Sequence, residues 1–569
     1  GQVRPLKESV LGPTIPKVLW AIFGSVILVL LIAVANVANL FIVRMDSRRR
    51  EATVRAALGA DRGHLATHYL SESLLLCLAA ATLGVVLSMV GLKALLAIAP
   101  QNIPRLQAVS VSWSSIGFAL ALSLVIGVVF GLMPLLRTLD LSALREGGRG
   151  LSMSRAQRTF RSGLVTAQMA LALILLASAG LMIRSFMHLR AVKPGLDPAN
   201  TLVFDAVLPF NEYPNRTTTI AFSREFLRRV SAIPGVVGAS IVSDIPLNGG
   251  YGTGCTVVWR ENMPYAPGAQ PPCVSTPVAF PGMLEAFKIA VRGRAPTWSD
   301  VDARTQAVVI TKALGDRLWP GEDPIGKGIG SNGPNGDGRI ADASARWYRV
   351  VGVIPELHAE ALDRPASEIV FYAPTSPYPE KPDTKDGSLG GPSFVVRTNG
   401  VDPASLVPTI QRVMAELNPR IPIQDARTMT EVVAHSMQRT SFVMILLGIS
   451  ATVALILSAV GIYGVISYIV TQRRFEIGVR IALGARVGEV AELVMMQSVR
   501  LAIAGIALGV IGTIAVTRLL KALLYNVSPT DPTVLGLVAL TLLVIAGLAS
   551  FAPARRAARI DPVEALRTD

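Results

Sequence analysis

Charged residues are scarce in this sequence. Only 16% of its 569 residues are Asp, Glu, Lys or Arg, whereas 51% are hydrophobic; in a soluble domain about a quarter of the residues are charged. This shortage excludes a chain that is soluble throughout. Cysteine is scarce as well, with three residues in the whole chain, which excludes a disulfide-rich scaffold.

Long uncharged runs gather at both ends of the chain, and the middle has the composition of a soluble protein. A helix of roughly 20 residues spans the hydrocarbon core of a bilayer. Seven runs without Asp, Glu, Lys or Arg approach or exceed that length: Leu19–Val43, Ser73–Leu92, Trp113–Leu136, Gly163–Ile183, Thr440–Gln472, Leu501–Thr517 and Thr533–Ala554. The sequence therefore predicts an α-helical membrane protein with seven transmembrane helices.

The connections between these runs differ in their basic residues. Four of them hold 6, 6, 4 and 4 arginines and no lysine: Arg44–His64, Arg137–Ser162, Gln472–Glu489 and Ala552–Asp569. Two others, Ala99–Ser112 and Lys521–Pro532, hold one basic residue each. Because basic loops stay in the cytoplasm, the four Arg-rich connections are predicted to be cytoplasmic and residues 189–437 extracytoplasmic. This placement accounts for the net charge of +15 without a nucleic-acid partner.

The location of the middle region decides whether its cysteines can form a disulfide bond. Cys255 and Cys273 lie there, 18 positions apart, while Cys77 lies within an apolar run. An oxidising compartment would allow the first two to form a disulfide bond. Two unpaired thiols are the alternative that the sequence leaves open.

A segment of ten residues occurs twice. Glu51–Ala60 and Glu476–Ala485 are identical at seven of ten positions and lie 425 residues apart. Each copy follows an inward-running span and an Arg-rich step, and each third span of a set is followed by a proline and an Ala-Leu-Arg tripeptide. The chain thus contains two units of three spans. One further span and the extracytoplasmic region precede the second unit.

Each copy of the segment has the pattern of a short amphipathic helix. A glutamate and an arginine lie four residues apart on one helical face, and a later glycine is typical of a helix stop; these residues are Glu51, Arg55 and Gly59, and Glu476, Arg480 and Gly484. A surface ion pair that only keeps a loop helical would contribute a few tenths of a kcal/mol. The recurrence of the whole pattern at equivalent topological positions favours a docking role over that alternative.

The extracytoplasmic region shows two βαβ patterns. The first comprises Thr201–Leu208, Thr217–Ser231 and Val236–Val242, and the second comprises Ser393–Arg397, Pro403–Leu417 and Ile421–Gln424. Two such units separated by β-rich sequence fit a split ferredoxin-like α+β fold. The sequence between them predicts an insert over Tyr251–Lys385.

Two segments resemble known motifs and are rejected. Gly321–Gly328 matches a P-loop at seven of eight positions, but Gly328 stands where the magnesium-binding Ser or Thr is required, and the segment faces outside. His64 and His68 have helical spacing for a metal, without the glutamate of a zinc protease motif or a third ligand. The sequence therefore predicts no metal site, and the lack of any catalytic arrangement predicts that the chain is not an enzyme.

These features together resemble the FtsX-like permeases of ABC transporters. The motif Glu-x-x-Val-Arg-x-Ala-Leu-Gly-Ala after an inward span is similar to that of the family, and the extracytoplasmic domain is similar to the MacB-type periplasmic core. Arg161–Leu173 and Gly180–Phe186 resemble the duplicated orphan permeases, which carry two such halves and no ATPase on the same chain. The resemblance covers essentially all 569 residues.

The resemblance implies a non-catalytic permease subunit that couples ATP hydrolysis by a separate ATPase, a dimer, to movement of periplasmic domains in efflux or export. ATP and Mg²⁺ would bind the ATPase and no cofactor this chain; its other partners would be the lipid bilayer and a periplasmic partner or cargo. The implied ATPase-docking residues are Glu51, Val54, Arg55, Leu58, Gly59, Glu476, Val479, Arg480, Leu483 and Gly484. The alternative is a membrane scaffold that transmits a conformational signal to a periplasmic enzyme or partner.

The predicted organisation has seven parts in the bacterial inner membrane. They are the end of a first periplasmic domain (1–16), a first FtsX-like transmembrane domain (17–136), a cytoplasmic basic linker (137–162), a transmembrane helix (163–186), a MacB-like periplasmic core (187–437), a second FtsX-like transmembrane domain (438–554) and a cytoplasmic tail (555–569). By analogy with the second unit, we expect a longer protein in which an eighth span and a first periplasmic domain precede residue 1.

Overall fold

A computed structural model describes residues 14–47, 62–97, 109–138, 155–249, 255–261, 272–331, 347–374, 392–483, 486–521 and 524–559. The helices are α1 Thr14–Ser47, α2 Arg62–Ala97, α3 Trp113–Thr138, α4 Arg155–Ala191, α5 Arg216–Ser231, α6 Met283–Ala286, α7 Trp298–Asp302, α8 Lys312–Leu318, α9 Val407–Leu417, α10 Met429–Gln472, α11 Arg474–Ala482, α12 Val487–Leu520 and α13 Pro532–Ala557. The strands are β1 Thr201–Ala206, β2 Val236–Val242, β3 Thr256–Arg260, β4 Cys273–Val274, β5 Arg292–Gly293, β6 Ala307–Thr311, β7 Gly328–Ser331, β8 Tyr348–Ile354, β9 Val370–Tyr372, β10 Ser393–Thr398 and β11 Ile423–Thr428.

The chain divides into two compact units. Residues 1–188 and 439–569 form a helical unit, and residues 189–438 form a unit built around two sheets, the sheet unit. Seven helices in the described part of the chain are long and apolar enough to cross a membrane: α1, α2, α3, α4, α10, α12 and α13. The prediction of seven transmembrane helices is therefore confirmed. The helices extend beyond the uncharged runs, since a helix continues into the interface where Arg and Lys side chains reach water.

The centre of the helical unit is α4. Its most apolar stretch is 61% buried against other helices, compared with 0% for α2 and 11% for α1 and α3. Met169, Leu173 and Leu181 of α4 are fully buried and belong to one core with residues of α10 and α13, such as Ala454 and Leu542. Burial in a bilayer cannot come from exclusion of apolar groups from water, so close packing of small and large side chains supplies this association.

One sheet of the sheet unit has four antiparallel strands in the order β11-β1-β10-β2. β10 lies between β1 and β2, and β1 lies between β10 and β11, which is the arrangement of two interlocked βαβ units. The ferredoxin-like prediction is confirmed. The bounds differ from the predicted ones by up to four residues. β1 ends at Ala206, a 3₁₀ turn over Pro403–Leu406 precedes α9, and β11 runs from Ile423 to Thr428 because Asn418 and the residues after it first reverse the chain.

The core of this sheet is aromatic. Phe204 of β1, Phe226 of α5 and Phe394 of β10 are almost completely buried. The rings of Phe204 and Phe394 stack with centroids 5.0 Å apart, and Phe226 meets Phe394 edge-on at 4.9 Å. Aromatic pairs in these two geometries stabilise a core by about 0.5–1.5 kcal/mol beyond the area that they bury.

The predicted insert forms the second sheet, with strands in the order β4-β3-β7-β8-β6-β9 and β5 paired to β8. β6 and β8 run parallel, while the other neighbouring strands of this sheet run antiparallel. Cys255 and Cys273 form a disulfide bond, with a Cα–Cα distance of 5.3 Å. The bond joins the start of β3 to β4, so it holds the edge of the sheet together.

An ion pair between the half-exposed Arg294 and the buried Asp300 joins the β5 region of the insert to α7. The two oxygens of Asp300 accept hydrogen bonds from Arg294 at 2.6 and 2.8 Å, and one also accepts from the backbone N–H of Thr297 at 2.8 Å. The Arg294 guanidinium, together with Thr297, holds the pKa of Asp300 at about 2, against an ordinary value of 3.8. The carboxylate is thus bound in its ionised form.

This lowered pKa predicts a pH dependence. Because the folded pKa lies below the unfolded one, the stabilisation is complete above pH 3.8 and is lost as the pH falls towards 2; its size is about 2 kcal/mol. We expect Asp300→Asn to lower the midpoint of thermal unfolding of the sheet unit at pH 7 and to flatten its decline between pH 4 and pH 2. Tryptophan fluorescence of the purified protein measures both. If the unfolding midpoint of the variant falls as steeply between pH 4 and pH 2 as that of the wild type, other groups cause the acid sensitivity.

Candidate coupling helix and the interface of the two repeats

The second copy of the repeated segment forms α11, a short helix between α10 and α12. Ile477 is buried, and Ile481, one turn later, is partly buried; both contact the helical core. The amide of Ile477 donates to the carbonyl of Arg473 at 2.9 Å, and the amide of Leu483 donates to the carbonyl of Val479 at 3.0 Å. Apolar residues four positions apart thus attach one face of α11 to the core.

Most of the rest of the α11 surface is exposed. Arg480 donates to Glu476 at 2.6 Å, and both side chains are 48% exposed. Phe475 and Leu483 are 61% and 82% exposed at the two ends of the helix. An ion pair flanked by large exposed apolar side chains is typical of a surface that another protein covers.

A groove of about 210 Å³ lies where the end of α10, α11 and the start of α12 meet. Its apolar side is formed by Ile477 and by Val490 and Val494 of α12, which are all buried. Its polar rim includes Arg473, Glu476, Arg480 and Glu489. The exposed face of α11 and this groove form one continuous surface, because Glu476 and Arg480 belong to both.

Four of the ten predicted docking residues lie in the described part of the chain, on α11 or directly after it. Glu476, Val479 and Arg480 lie on α11, and Leu483 follows it directly. Val479 is half-buried, so it contributes less to the exposed face than expected. Outside the described residues lie Glu51, Val54, Arg55, Leu58, Gly59 and Gly484.

A polar cluster joins three helices inside the helical unit. Asn36 of α1 donates from Nδ2 to the carbonyl of Leu457 in α10 at 2.7 Å. Gln168 of α4 donates from Nε2 to Asn36 Oδ1 at 3.1 Å and to the carbonyl of Ile32 at 3.4 Å. Asn36 thus takes part in hydrogen bonds to two other helices. Sequence reasoning missed Gln168, although a lone glutamine in an apolar run is a signal that could have found it.

Gly461 of α10 completes this cluster. A side-chain carbon at Gly461 would lie 2.5 Å from Asn36 Oδ1 and 2.6 Å from Gln168 Oε1. The Gln168 oxygen has no hydrogen-bond donor among the described residues. A Cα–H of Gly461 points towards both oxygens, and such weak hydrogen bonds recur where helices approach closely.

The two repeats face each other in this region. Ser25 Oγ of α1 and Ser450 Oγ of α10 lie 3.4 Å apart, and the residues are separated by 425 positions, the offset of the repeated segment. Asn36 and Gly461 are related by the same offset. Equivalent residues meet only near a local twofold axis, so such an axis passes between the two serines. Extending the offset upstream from Glu51 would have shown the serine pair in the sequence.

Comparison with known proteins agrees with this duplicated architecture. The family model described as FtsX-like permease C-terminal matches the chain twice, at residues 23–143 and 448–562. The model of the MacB-like periplasmic core domain matches residues 171–413. The chain is thus similar to FtsX-like permeases near both ends and to the MacB-like periplasmic core domain between them. The resemblance found in the sequence is therefore confirmed, and the double match agrees with the internal repeat.

The curated relatives of this permease are longer proteins. The macrolide export ATP-binding/permease protein MacB of Hahella chejuensis is 27% identical over 282 residues, which are 49% of this chain and 40% of that protein. MacB of Sodalis glossinidius is 31% identical over 182 residues, 31% of this chain and 27% of that protein. The chain thus spans about two fifths or less of the length of these relatives.

Two solved structures are similar over the sheet unit. The periplasmic region of MacB from Actinobacillus actinomycetemcomitans is 14% identical with a TM-score of 0.28, and the match covers 42% of this permease and 92% of that chain. The extracellular domain of the transporter YknZ from Gram-positive bacteria is 14% identical with a TM-score of 0.25, over 40% of this permease and 100% of that chain.

Proposed function

We propose that this chain is the permease subunit of an ABC-type transporter and that α11 is a coupling helix on which an ATPase of a separate chain docks. The exposed face of α11 supports this proposal. Its ion pair offers charges of both signs, and Phe475 and Leu483 offer apolar side chains. A docking ATPase would cover all four side chains at once.

α11 is attached so that a movement of the docked ATPase would be passed on to α10. Its buried face is packed against the helical core through Ile477, and only Arg473 separates it from α10. α10 continues without a break from Met429 to Gln472, a length of about 66 Å at 1.5 Å per residue. A push on α11 would therefore act on a stiff helix, and movement of the periplasmic domain in export is the expected output.

The duplication supports an ATPase dimer as the partner. Glu51–Ala60 has the same motif as α11 and follows the first span of the other repeat. Two copies of one docking motif, one in each repeat, would each meet one subunit of a symmetric ATPase dimer. ATP and Mg²⁺ belong to that dimer, and this chain supplies the docking surfaces.

A charge swap tests the docking role. Glu476→Arg combined with Arg480→Glu keeps opposite charges four residues apart, so the ion pair within α11 persists. We expect the swap to lower the amount of ABC ATPase that co-purifies with the permease from native membranes by about tenfold or more, because like charges facing each other across an interface cost several kcal/mol. If the pair only keeps α11 helical, recovery of the ATPase would be unchanged.

The sheet unit provides a matched control. Lys312 and Asp316 of α8 form an exposed ion pair with the same spacing, and Lys312→Asp with Asp316→Lys is expected to leave recovery of the ATPase at the wild-type level. Leu483→Ser, which removes an exposed apolar side chain, is expected to lower recovery without changing charge. Absence of any ABC ATPase from the wild-type preparation in several mild detergents would contradict the proposal and favour a signalling scaffold.

A further inference from the structure

One side of α13 is an exposed stripe that changes from apolar to cationic. Its residues recur every three or four positions, which places them on one face of the helix. These residues, here called the α13 stripe, are Leu537, Leu540, Val544, Leu548, Phe551, Arg555 and Arg559. The opposite side of the helix is packed in the helical core through Val538, Leu542 and Ala546. The two arginines therefore continue a surface that faces the bilayer.

The length of α13 places these arginines at the level of the lipid headgroups. Arg555 lies 23 residues after Pro532, where the helix begins, and this stretch is about 35 Å long at 1.5 Å per residue. The hydrocarbon core of a bilayer is about 30 Å thick. Arg556 donates to the hydroxyl of Tyr463 in α10 at 3.2 Å, and tyrosine is enriched where membrane and water meet. Arg555 and Arg556 thus lie just beyond the hydrocarbon, on the predicted cytoplasmic side.

The arginines of the stripe lack a carboxylate partner. On the same predicted side of the helical unit, Arg473 and Arg480 both pair with Glu476. Within the part of the chain that the structure describes, Arg555 and Arg559 form no ion pair. The tendency of basic residues to stay in the cytoplasm explains their presence there, but not the missing partner. Arginine stays protonated in proteins, so this end of α13 offers a lasting positive charge to an anion.

We propose that the α13 stripe binds an anionic phospholipid. Arg555 and Arg559 are one helical turn apart, so both reach one phosphate group, and a guanidinium donates two parallel hydrogen bonds to phosphate oxygens. The acyl chains lie along the apolar part of the stripe, from Phe551 towards Leu537. The charge of the site selects the headgroup. A choline or ethanolamine headgroup would bring a cation to a place where no described carboxylate receives it, whereas an anionic headgroup brings none.

Quenching by brominated lipids tests the site. A bimane dye is attached at Leu548→Cys, two turns before Arg555 on the same stripe, in a Cys77→Ser background, and the full chain is placed in phosphatidylcholine vesicles. Brominated phosphatidylglycerol is the anionic probe, and brominated phosphatidylcholine is the reference. Each basic residue near a membrane surface favours anionic lipid by about fivefold. We therefore expect the dye to report a preference of about tenfold or more for phosphatidylglycerol, and Arg555→Gln with Arg559→Gln to remove most of it.

Arg304→Gln with Arg412→Gln is the matched control. Both arginines lie in the sheet unit, are exposed and form no ion pair among the described residues. The control therefore removes the same charge from another part of the protein, and the preference for phosphatidylglycerol is expected to stay at the wild-type level. Equal quenching of the wild type by the two lipids would overturn the proposal, as would a full preference in the Arg555→Gln, Arg559→Gln variant.

The chain carries a competing anion. Asp561 and Glu564 follow Arg559 in the sequence and lie outside the described residues. Asp561→Asn with Glu564→Gln is expected to leave the lipid preference unchanged. A preference that appears only in this variant would show that the arginines bind the carboxylates of the tail, and the proposal would be wrong. The vesicles contain no ATPase, so none of these results bears on docking at α11.

Discussion

Replacing Gly461 with alanine is expected to lower the thermal unfolding temperature of the detergent-solubilised permease by several degrees. The new methyl group would lie 2.5 Å from Asn36 Oδ1 and 2.6 Å from Gln168 Oε1. Both side chains would have to turn away, and the hydrogen bonds of Asn36 to Leu457 and of Gln168 to Asn36 would break. A buried polar group left without a partner costs about 1–3 kcal/mol.

Gly448 provides the control on the same helix. A side-chain carbon there meets nothing within 4 Å in the described part of the chain. Gly448→Ala is therefore expected to be neutral or to stabilise α10 by up to about 1 kcal/mol, the difference in helix propensity between the two residues. Unfolding can be followed by static light scattering during heating. Equal transition temperatures for the two variants would show that the polar cluster does not constrain the interface of the repeats.

Gly505→Ala is expected to have the larger effect, about 3 kcal/mol or more. Its methyl group would meet the Cβ of Met169 and the carbonyl oxygen of Thr166, which lies 2.8 Å away. A backbone carbonyl cannot rotate out of the way as a side chain can. The helices α4 and α12 would have to separate, and the buried contacts of α4 around that point would weaken together.

The matched variant is Gly488→Ala. Gly488 is also in α12 but has nothing within 4 Å of its side-chain position among the described residues, so its replacement is expected to leave the unfolding temperature unchanged or to raise it. Limited proteolysis at the ends of α4 gives a second measurement, because loosening of that helix would expose them. A Gly505→Ala variant as stable as wild type would contradict the close approach of the two backbones.

Several elements of the fold could be predicted from local sequence patterns. The ferredoxin-like sheet followed from strand, helix and strand periodicity in two segments that lie far apart along the chain. The order of the strands in the insert could not be predicted. β6 and β8 pair in parallel, and a parallel pair is not joined by a tight turn that the sequence would reveal. The side-by-side positions of β1 and β10 likewise depend on contacts between residues about 190 positions apart, such as Phe204 and Phe394.

The candidate docking surface was predictable in part. The repeat identified Glu476 and Arg480 because a motif of ten residues at equivalent positions is improbable by chance. It did not show that Val479 is half-buried or that Phe475 belongs to the exposed face. Those assignments depend on how α11 is rotated against α12, and that rotation is set by the burial of Ile477.

The sequence by itself determined the number of spans and the duplication, and it predicts their sidedness, because the bilayer admits only uncharged runs of sufficient length and basic loops remain in the cytoplasm. Only the tertiary structure decided which face of each span is an interface. Gly461 differs from Gly448, and Gly505 from Gly488, solely in what lies opposite. A helix in lipid can be apolar on every side, so hydropathy does not mark its packed face; the fit between neighbouring helices does.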